Sequence, residues 1–310
     1  MVRHPRSRTL AALLVLAATF AGCATRAPET PPTAPTGAFP VELTPPGGEP
    51  VRLERAPQRI VSLSPTSTEV LFALGAGPQL VAVDDQSTYP PEAPRTELSG
   101  FSPNVEAIAG YDPDLVVTSN DLAGVVDGLS RTGIPVLLLP SPTRLEGTYT
   151  EIGLLGRATG RDAVAAELLE DVRSEIGQLV SRTPRTDLTY YHELDPTLYS
   201  ANSQTFIGSV YGLFGLRNIA DGAPDPTTGY PQLSAEAILA ANPDLIFLAD
   251  TKCCGQSAQT VAARPGWAEL TAVRTGDVVA LDDDVASRWG PRVVELVRSV
   301  SEAVTAAGPS

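Results

Sequence analysis

Few side chains of this sequence could form a metal centre or a catalytic group. The 310 residues include two histidines, His4 and His192, and three cysteines, Cys23, Cys253 and Cys254. A protein zinc site needs several imidazoles or thiolates, so we predict no metal site. His192 would need a serine nucleophile to act in a hydrolase, and the sequence lacks the Gly-x-Ser-x-Gly elbow. We therefore expect a protein that is not an enzyme and that has no cofactor.

Residues 190–193, Tyr-Tyr-His-Glu, end a predicted strand. Ligands of α/β proteins bind at the carboxyl ends of strands, so this run is a candidate for contact with a ligand. Tyrosine and histidine are axial ligands of haem iron. Because His192 follows two tyrosines, haem stays among the ligands to be considered.

Cys253 and Cys254 are adjacent, in a loop that follows a predicted strand over residues 245–248. In an oxidising compartment such a pair could close a vicinal disulfide, which would stiffen the loop. Two free thiols or an intermolecular bond are the alternatives.

The sequence contains an internal repeat. Residues 104–117 (NVEAIAGYDPDLVV) align without a gap on residues 234–247 (SAEAILAANPDLIF). Each copy predicts an N-capped helix, an Asx-Pro-Asp break and a buried strand. A second echo precedes each copy, VLFALG at 70–75 and VYGLFG at 210–215. Two echoes in the same order predict two similar lobes.

The repeat places Glu106 and Glu236 at equivalent positions, each in the first turn of a predicted helix. A negative charge there interacts favourably with the helix dipole, and this effect alone could explain why each position holds a glutamate. The functional explanation is that each lobe offers one carboxylate to a partner that is itself two-fold.

The apolar pattern predicts an α/β fold. Residues 39–43 and 51–54 predict a small hairpin, and short apolar strands then alternate with helical stretches, which favours parallel sheets. Residues 161–181 carry one apolar stripe of helical spacing, long enough to join two lobes. We predict an N-terminal lobe (39–143), a helical segment with the inter-lobe helix (144–184) and a C-terminal lobe (185–310).

The N-terminal segment predicts export. Three arginines precede an apolar run at 10–20 and Ala-Gly-Cys at 21–23, the order of a signal peptide. The end of this segment resembles a bacterial lipobox, so we predict a signal peptide over 1–22, lipidation of Cys23 and a proline-rich tether over 23–38. A signal cut near Ala21 with an incidental cysteine is the alternative. The mature protein would then be attached to the outer face of the cell membrane.

The charge of the chain limits its partners. Asp and Glu number 36 against 22 Lys and Arg, a net charge of -14. Nucleic-acid binding needs a basic surface, so nucleic acid is excluded as a partner. We expect a monomer.

Several motifs, in order over about 39–307, resemble one family. They are RIVSLSP with Thr68-Glu69, the two repeat copies, and YPQLS at 230–234. The sequence resembles the substrate-binding lipoproteins of bacterial ABC importers in which one long helix joins two lobes, and STYPP at 87–91 and SRWGPR at 287–292 look most like the branch that binds cobalamin. The resemblance implies that the ligand binds in a cleft between the lobes and that Glu106 and Glu236 dock on the two permease subunits. The ligand-binding residues that it implies are Gln86, Tyr89, Phe101, Tyr230, Asp284 and Arg288.

The implied ligand is cobalamin or a related corrinoid. A corrinoid is a flat ring with amide arms, suited to aromatic walls and a few polar groups. An anionic ferric siderophore would prefer several arginines, and Arg288 and Arg292 are the only close pair in a recognisable cleft motif. The alternatives are a ferric siderophore or haem in the same family, and, in another class, a cell-envelope enzyme or adaptor that uses this fold.

Overall fold

The computed structural model describes Met1, residues 37–223 and residues 229–308. The predicted signal peptide, Cys23 and most of the predicted tether therefore lie outside the described residues. Within the part that the structure describes, no helix is both long enough and apolar enough to cross a membrane.

The strands form one small hairpin and two larger sheets. β1 and β2 pair antiparallel, which confirms the predicted hairpin. All pairings in the two four-stranded sheets are parallel. The strands that the structure describes are β1 (Val41–Leu43), β2 (Val51–Leu53), β3 (Ile60–Leu63), β4 (Leu80–Val83), β5 (Leu115–Thr118), β6 (Val136–Leu138), β7 (Thr189–Glu193), β8 (Arg217–Asn218), β9 (Leu245–Leu248) and β10 (Val278–Ala280).

Helices cover both faces of each parallel sheet, and two apolar clusters lie in each lobe, one on either side of its sheet. Strands buried on both faces read as continuous apolar runs, as β4, β6 and β9 do. The described helices are α1 (Pro65–Ala73), α2 (Val105–Ala109), α3 (Val125–Ser130), α4 (Leu145–Thr159), α5 (Asp162–Arg182), α6 (Phe206–Gly212), α7 (Ala235–Ala241), α8 (Thr251–Cys254), α9 (Ala258–Ala262), α10 (Thr271–Thr275), α11 (Asp283–Ser287) and α12 (Val293–Ala307).

The two lobes have the same topology. The sheet order is β4-β3-β5-β6 in the first lobe and β8-β7-β9-β10 in the second. Counted from the first strand of each lobe, both orders are 2-1-3-4. The internal repeat therefore corresponds to a repeat of the fold, with α2 equivalent to α7 and β5 equivalent to β9.

The repeated sequence features have the same local roles in both lobes. Asn104 accepts a hydrogen bond from the N–H of residue 107, and Ser234 accepts one from the N–H of residue 237, so both helices begin at a capping side chain. The aspartate of each Asx-Pro-Asp break, Asp114 or Asp244, accepts backbone N–H groups at the start of the neighbouring strand, at 2.8 Å in each lobe. Each break thus connects its helix to the sheet.

The helix α5 belongs to both lobes. Ala165, near its start, lies in the core of the first lobe, whereas Val172, Ile176 and Leu179 lie in the core of the second. Burial of one such aliphatic side chain stabilises the fold by roughly 1.5–3 kcal/mol. The predicted stripe is therefore the face by which one helix joins the two lobes. The predicted helical segment contains a second helix, α4, which precedes α5.

Candidate ligand-binding cleft

A cleft of about 410 Å³ opens between the two lobes. One wall is built from residues that follow the strands of the first lobe, the edge at which α/β sheets bind ligands. The other wall is α11 with the loop that follows it. The lining residues are Leu63, Ser64, Pro65, Thr66, Asp84, Gln86, Gly100, Phe101, Ser119, Asn120, Ser141, Asp284, Ser287, Arg288 and Trp289.

Four of the six ligand-binding residues implied by the sequence line this cleft, Gln86 and Phe101 on the wall of the first lobe and Asp284 and Arg288 on the opposite wall. The ring of Phe101 is largely exposed, at 75%. Tyr89 and Tyr230 are not among the described lining residues, although both are partly exposed. The guanidinium of Arg292 lies over the ring of Tyr89, 4.0 Å from the ring centroid.

The sequence reasoning missed several polar groups of the wall. Ser119 and Asn120 follow β5, and Ser141 follows β6 by three residues. The sequence feature that could have identified them is that each is a polar residue shortly after a buried parallel strand. The backbone at Gly100 comes so close to β3 that an added Cβ would lie 2.6 Å from the carbonyl oxygen of Leu63. The side chains of Ser119, Asn120 and Ser141 give the cleft uncharged hydrogen-bond donors and acceptors.

Asp84 is a buried carboxyl group in the same wall. Its pKa is raised, mainly because burial disfavours the charged form, although a hydrogen bond from the Ser87 hydroxyl acts in the opposite direction. Burial is the larger of the two effects.

Arg288, which lines the cleft, and the nearby Arg292 both pair with groups of the protein itself. Glu69, on α1, is buried and accepts from Arg288 at 2.8 Å and from Arg292 at 2.6 and 2.9 Å. These pairs join the first lobe to the loop after α11. The other acceptors of the Arg288 guanidinium are the carbonyl of Gln86, the hydroxyl of Thr88 and the carboxylate of Asp284. Arg288 therefore lines the cleft as a residue already paired in the protein.

A second polar contact joins the lobes at Glu151 on α4. Its carboxyl group accepts from the Ser67 hydroxyl at 2.8 Å and from the indole N–H of Trp289 at 2.9 Å. Burial raises the pKa of Glu151 to about 7, because it outweighs both hydrogen bonds to the charged form. This carboxyl group holds an aromatic residue of the cleft wall in position.

The run at 190–193 does not reach the cleft. Tyr190, Tyr191 and His192 have no exposed surface, and His192 Nδ1 lies 2.8 Å from the hydroxyl of Tyr211. Burial lowers the pKa of His192 to about 3, so the ring is neutral at physiological pH. The prediction that this run could meet a ligand is wrong, because helices cover both faces of β7. No axial haem ligand comes from these three residues in this conformation.

Glu106 and Glu236 are both exposed, in the first turns of α2 and α7. The common topology makes their positions equivalent, one in each lobe. They lie outside the cleft wall.

Cys253 and Cys254 are joined by a disulfide in α8, on the exposed surface. The carboxylate of Asp283 accepts the backbone N–H groups of residues 251, 252 and 253, which caps this short helix. Lys252 pairs with Asp282 and Asp284, and Asp284 is a residue of the cleft wall. The disulfide therefore lies in a loop connected to the cleft.

The disulfide can be tested by alkylation. A soluble form that begins at Ala24 should take up no iodoacetamide under native conditions and two equivalents after reduction, because both cysteines are exposed. Mass spectrometry of the intact protein measures the uptake. Alkylation before reduction would contradict the disulfide, and a disulfide-linked dimer would point to the intermolecular bond.

Two β/α lobes, one shared helix and a cleft at the strand ends define a two-lobed binding protein. The family described as periplasmic binding protein matches residues 60–285, and the chain belongs to this family. Its members are substrate-binding transport proteins and not enzymes.

The chain is similar to three further proteins. It is 30% identical to the uncharacterized ABC transporter substrate-binding lipoprotein YvrC of Bacillus subtilis, over 96% of this chain and 97% of that protein. It is 32% identical to a cobalamin-binding protein of Halobacterium salinarum, over 86% of this chain and 74% of that protein. The solved structure of the periplasmic haem-binding protein HutB of Vibrio cholerae matches with a TM-score of 0.71 and 25% identity, over 79% of this chain and 98% of that one. The protein is therefore an extracytoplasmic substrate-binding protein of the ABC-transporter type.

Proposed function

We propose that this protein captures cobalamin or a related corrinoid in the cleft between its lobes and delivers it to the permease of an ABC importer. The observation that carries this proposal is the chemistry of the cleft wall. Its hydroxyl and amide groups suit the amide arms of a corrinoid, and Phe101 and Trp289 offer apolar rings to the flat macrocycle. The similarity to a cobalamin-binding protein supports the same ligand.

The delivery step rests on the equivalent positions of Glu106 and Glu236. A permease dimer is two-fold, so two equivalent carboxylates suit one basic residue on each of its subunits. Lipidation of Cys23 would keep the receptor beside that permease, as the name of the similar Bacillus lipoprotein suggests. The proposed receptor acts as a monomer.

Haem and ferric siderophores are the alternative ligands. The likeness to a haem-binding protein supports haem. The buried state of His192 argues against that histidine as the ligand.

Titration of the unlipidated protein distinguishes these ligands. We expect cyanocobalamin and cobinamide to bind at micromolar concentration or below, and haemin and ferric siderophores to bind more weakly. Isothermal calorimetry measures the affinities, and the Soret band reports any haem ligation. Absence of corrinoid binding at micromolar concentrations would overturn the proposal.

Phe101→Ala provides a matched test of the cleft. The side chain is largely exposed, so its truncation should leave the fold intact and weaken corrinoid binding by about tenfold through lost ring contact. Leu122→Ala is the control, because Leu122 is also exposed, at 44%, and is not a lining residue. Equal affinities of the two variants would argue against this cleft as the site.

A further inference from the structure

Glu69 is a buried carboxylate that lies behind the cleft wall and binds arginines of the other lobe. Glu69 accepts three hydrogen bonds from two arginines of the other lobe, Arg288 and Arg292. The side-chain exposure is 2% for Glu69, 10% for Arg288 and 18% for Arg292. Water therefore screens these charges only weakly, and the glutamate compensates a large part of both positive charges.

The remaining charges near the cleft are mostly acidic, and the one lysine there, Lys252, is paired with Asp282 and Asp284. Asp284 accepts from Arg288 at 2.8 Å, and Asp84 lies in the wall. Three cations, Arg288, Arg292 and Lys252, stand against four carboxyl groups, those of Glu69, Asp84, Asp282 and Asp284, and burial raises the pKa of Asp84. An anion that enters this cleft meets no uncompensated positive charge among the described lining residues.

We propose that Glu69 is a positioning residue that sets the ligand class of the cleft: by binding Arg288 and Arg292 it makes the site accept neutral or cationic ligands and reject anionic ones. This inference rests on the proposed function only in that the ligand binds in this cleft. It does not require the ligand to be a corrinoid. An ordinary structural role of Glu69 would affect all ligands alike, whereas this role predicts a change in charge preference.

The test compares ligands of the same shape and different charge. Cyanocobalamin is the neutral probe, and its monocarboxylic acid, in which one amide arm is a carboxylate, is the anionic probe. Glu69→Gln should raise the affinity for the acid relative to the amide by about tenfold, the effect of one added charge at a partly shielded site. The gain should shrink as salt concentration rises.

Two further variants separate charge from structure. Glu69→Gln combined with Arg292→Gln restores the net charge of the wild-type cluster and should restore the wild-type preference. Asp284→Asn adds the same charge at a more exposed position and should change the preference in the same direction by a few-fold. If Glu69→Gln does not fold, as circular dichroism would show, Asp284→Asn decides the question.

A second pair of probes makes the inference independent of corrinoids. A cationic ferric trihydroxamate and a trianionic ferric triscatecholate differ in charge at a common metal. Failure of every corrinoid to bind would overturn the proposed function, and a gain for the triscatecholate in Glu69→Gln would still support the role of Glu69. A folded Glu69→Gln or Asp284→Asn variant with no relative gain for either anionic probe would overturn the inference.

Discussion

Reversal of the two equivalent carboxylates, in Glu106→Lys combined with Glu236→Lys, should abolish stimulation of the permease ATPase and leave ligand affinity unchanged. Each lobe would then present a positive charge to a basic subunit. Close interfacial charge pairs contribute about 1.5–7 kcal/mol, so each reversal should weaken docking by at least about tenfold. Both residues are exposed and lie outside the cleft wall, which is why ligand binding should not change.

The control variant carries the same change in charge at two other exposed positions. Glu146→Lys combined with Glu302→Lys alters two exposed glutamates, the first of which also lies in the first turn of a helix. This variant should stimulate the ATPase as the wild type does. Normal stimulation by the Glu106 and Glu236 double variant, with ligand bound, would refute the docking hypothesis.

Glu151→Gln should remove a pH dependence of folding stability. The pKa of this carboxyl group rises from 4.5 to about 7 in the folded protein, so the folded state binds the proton more tightly than the unfolded state. Stability is therefore lost as pH rises from about 4.5 to about 7 and is constant above that range. At about 1.36 kcal/mol per pKa unit, the loss is about 3 kcal/mol, and glutamine should not show it.

Urea unfolding at pH 4.5 and pH 8 measures this difference. Burial and the neighbouring Glu193 carboxylate also raise the pKa of Asp250, so part of the pH dependence should persist in the variant. Glu146→Gln, at an exposed carboxyl group, should retain the full wild-type dependence. Parallel pH profiles of wild type and Glu151→Gln would show that Glu151 titrates normally.

The fold could be predicted because its determinants are local. Short apolar runs, capping residues such as Asn104 and Ser234, and the period of the α5 stripe are all readable within a few residues. The duplication added information of longer range, because two copies in the same order implied two lobes. The glycines that close the two echoes, Gly75 and Gly215, both adopt a positive φ.

The site could be predicted only in part because its contacts join distant parts of the chain. Glu69 meets Arg288 and Arg292 across 219 and 223 residues, and no local pattern specifies that pairing. The prediction that residues 190–193 contact a ligand was wrong for a related reason. Tyr190 packs on Tyr211 and Tyr191 on Trp267, on opposite faces of β7, so the residues that bury this run come from later segments of the chain.

The helix α5 makes the two lobes one thermodynamic unit. Neither lobe has a complete core without its half of this helix, and the helix in turn owes most of its stability to the packing of its apolar face. Unfolding of one lobe would expose part of the apolar face of α5 and destabilise the helix that completes the core of the other lobe. Both lobes should therefore unfold in a single cooperative transition. In a receptor exposed to envelope proteases, opening of one lobe therefore costs nearly the stability of the whole chain, and cleavage is slowed accordingly.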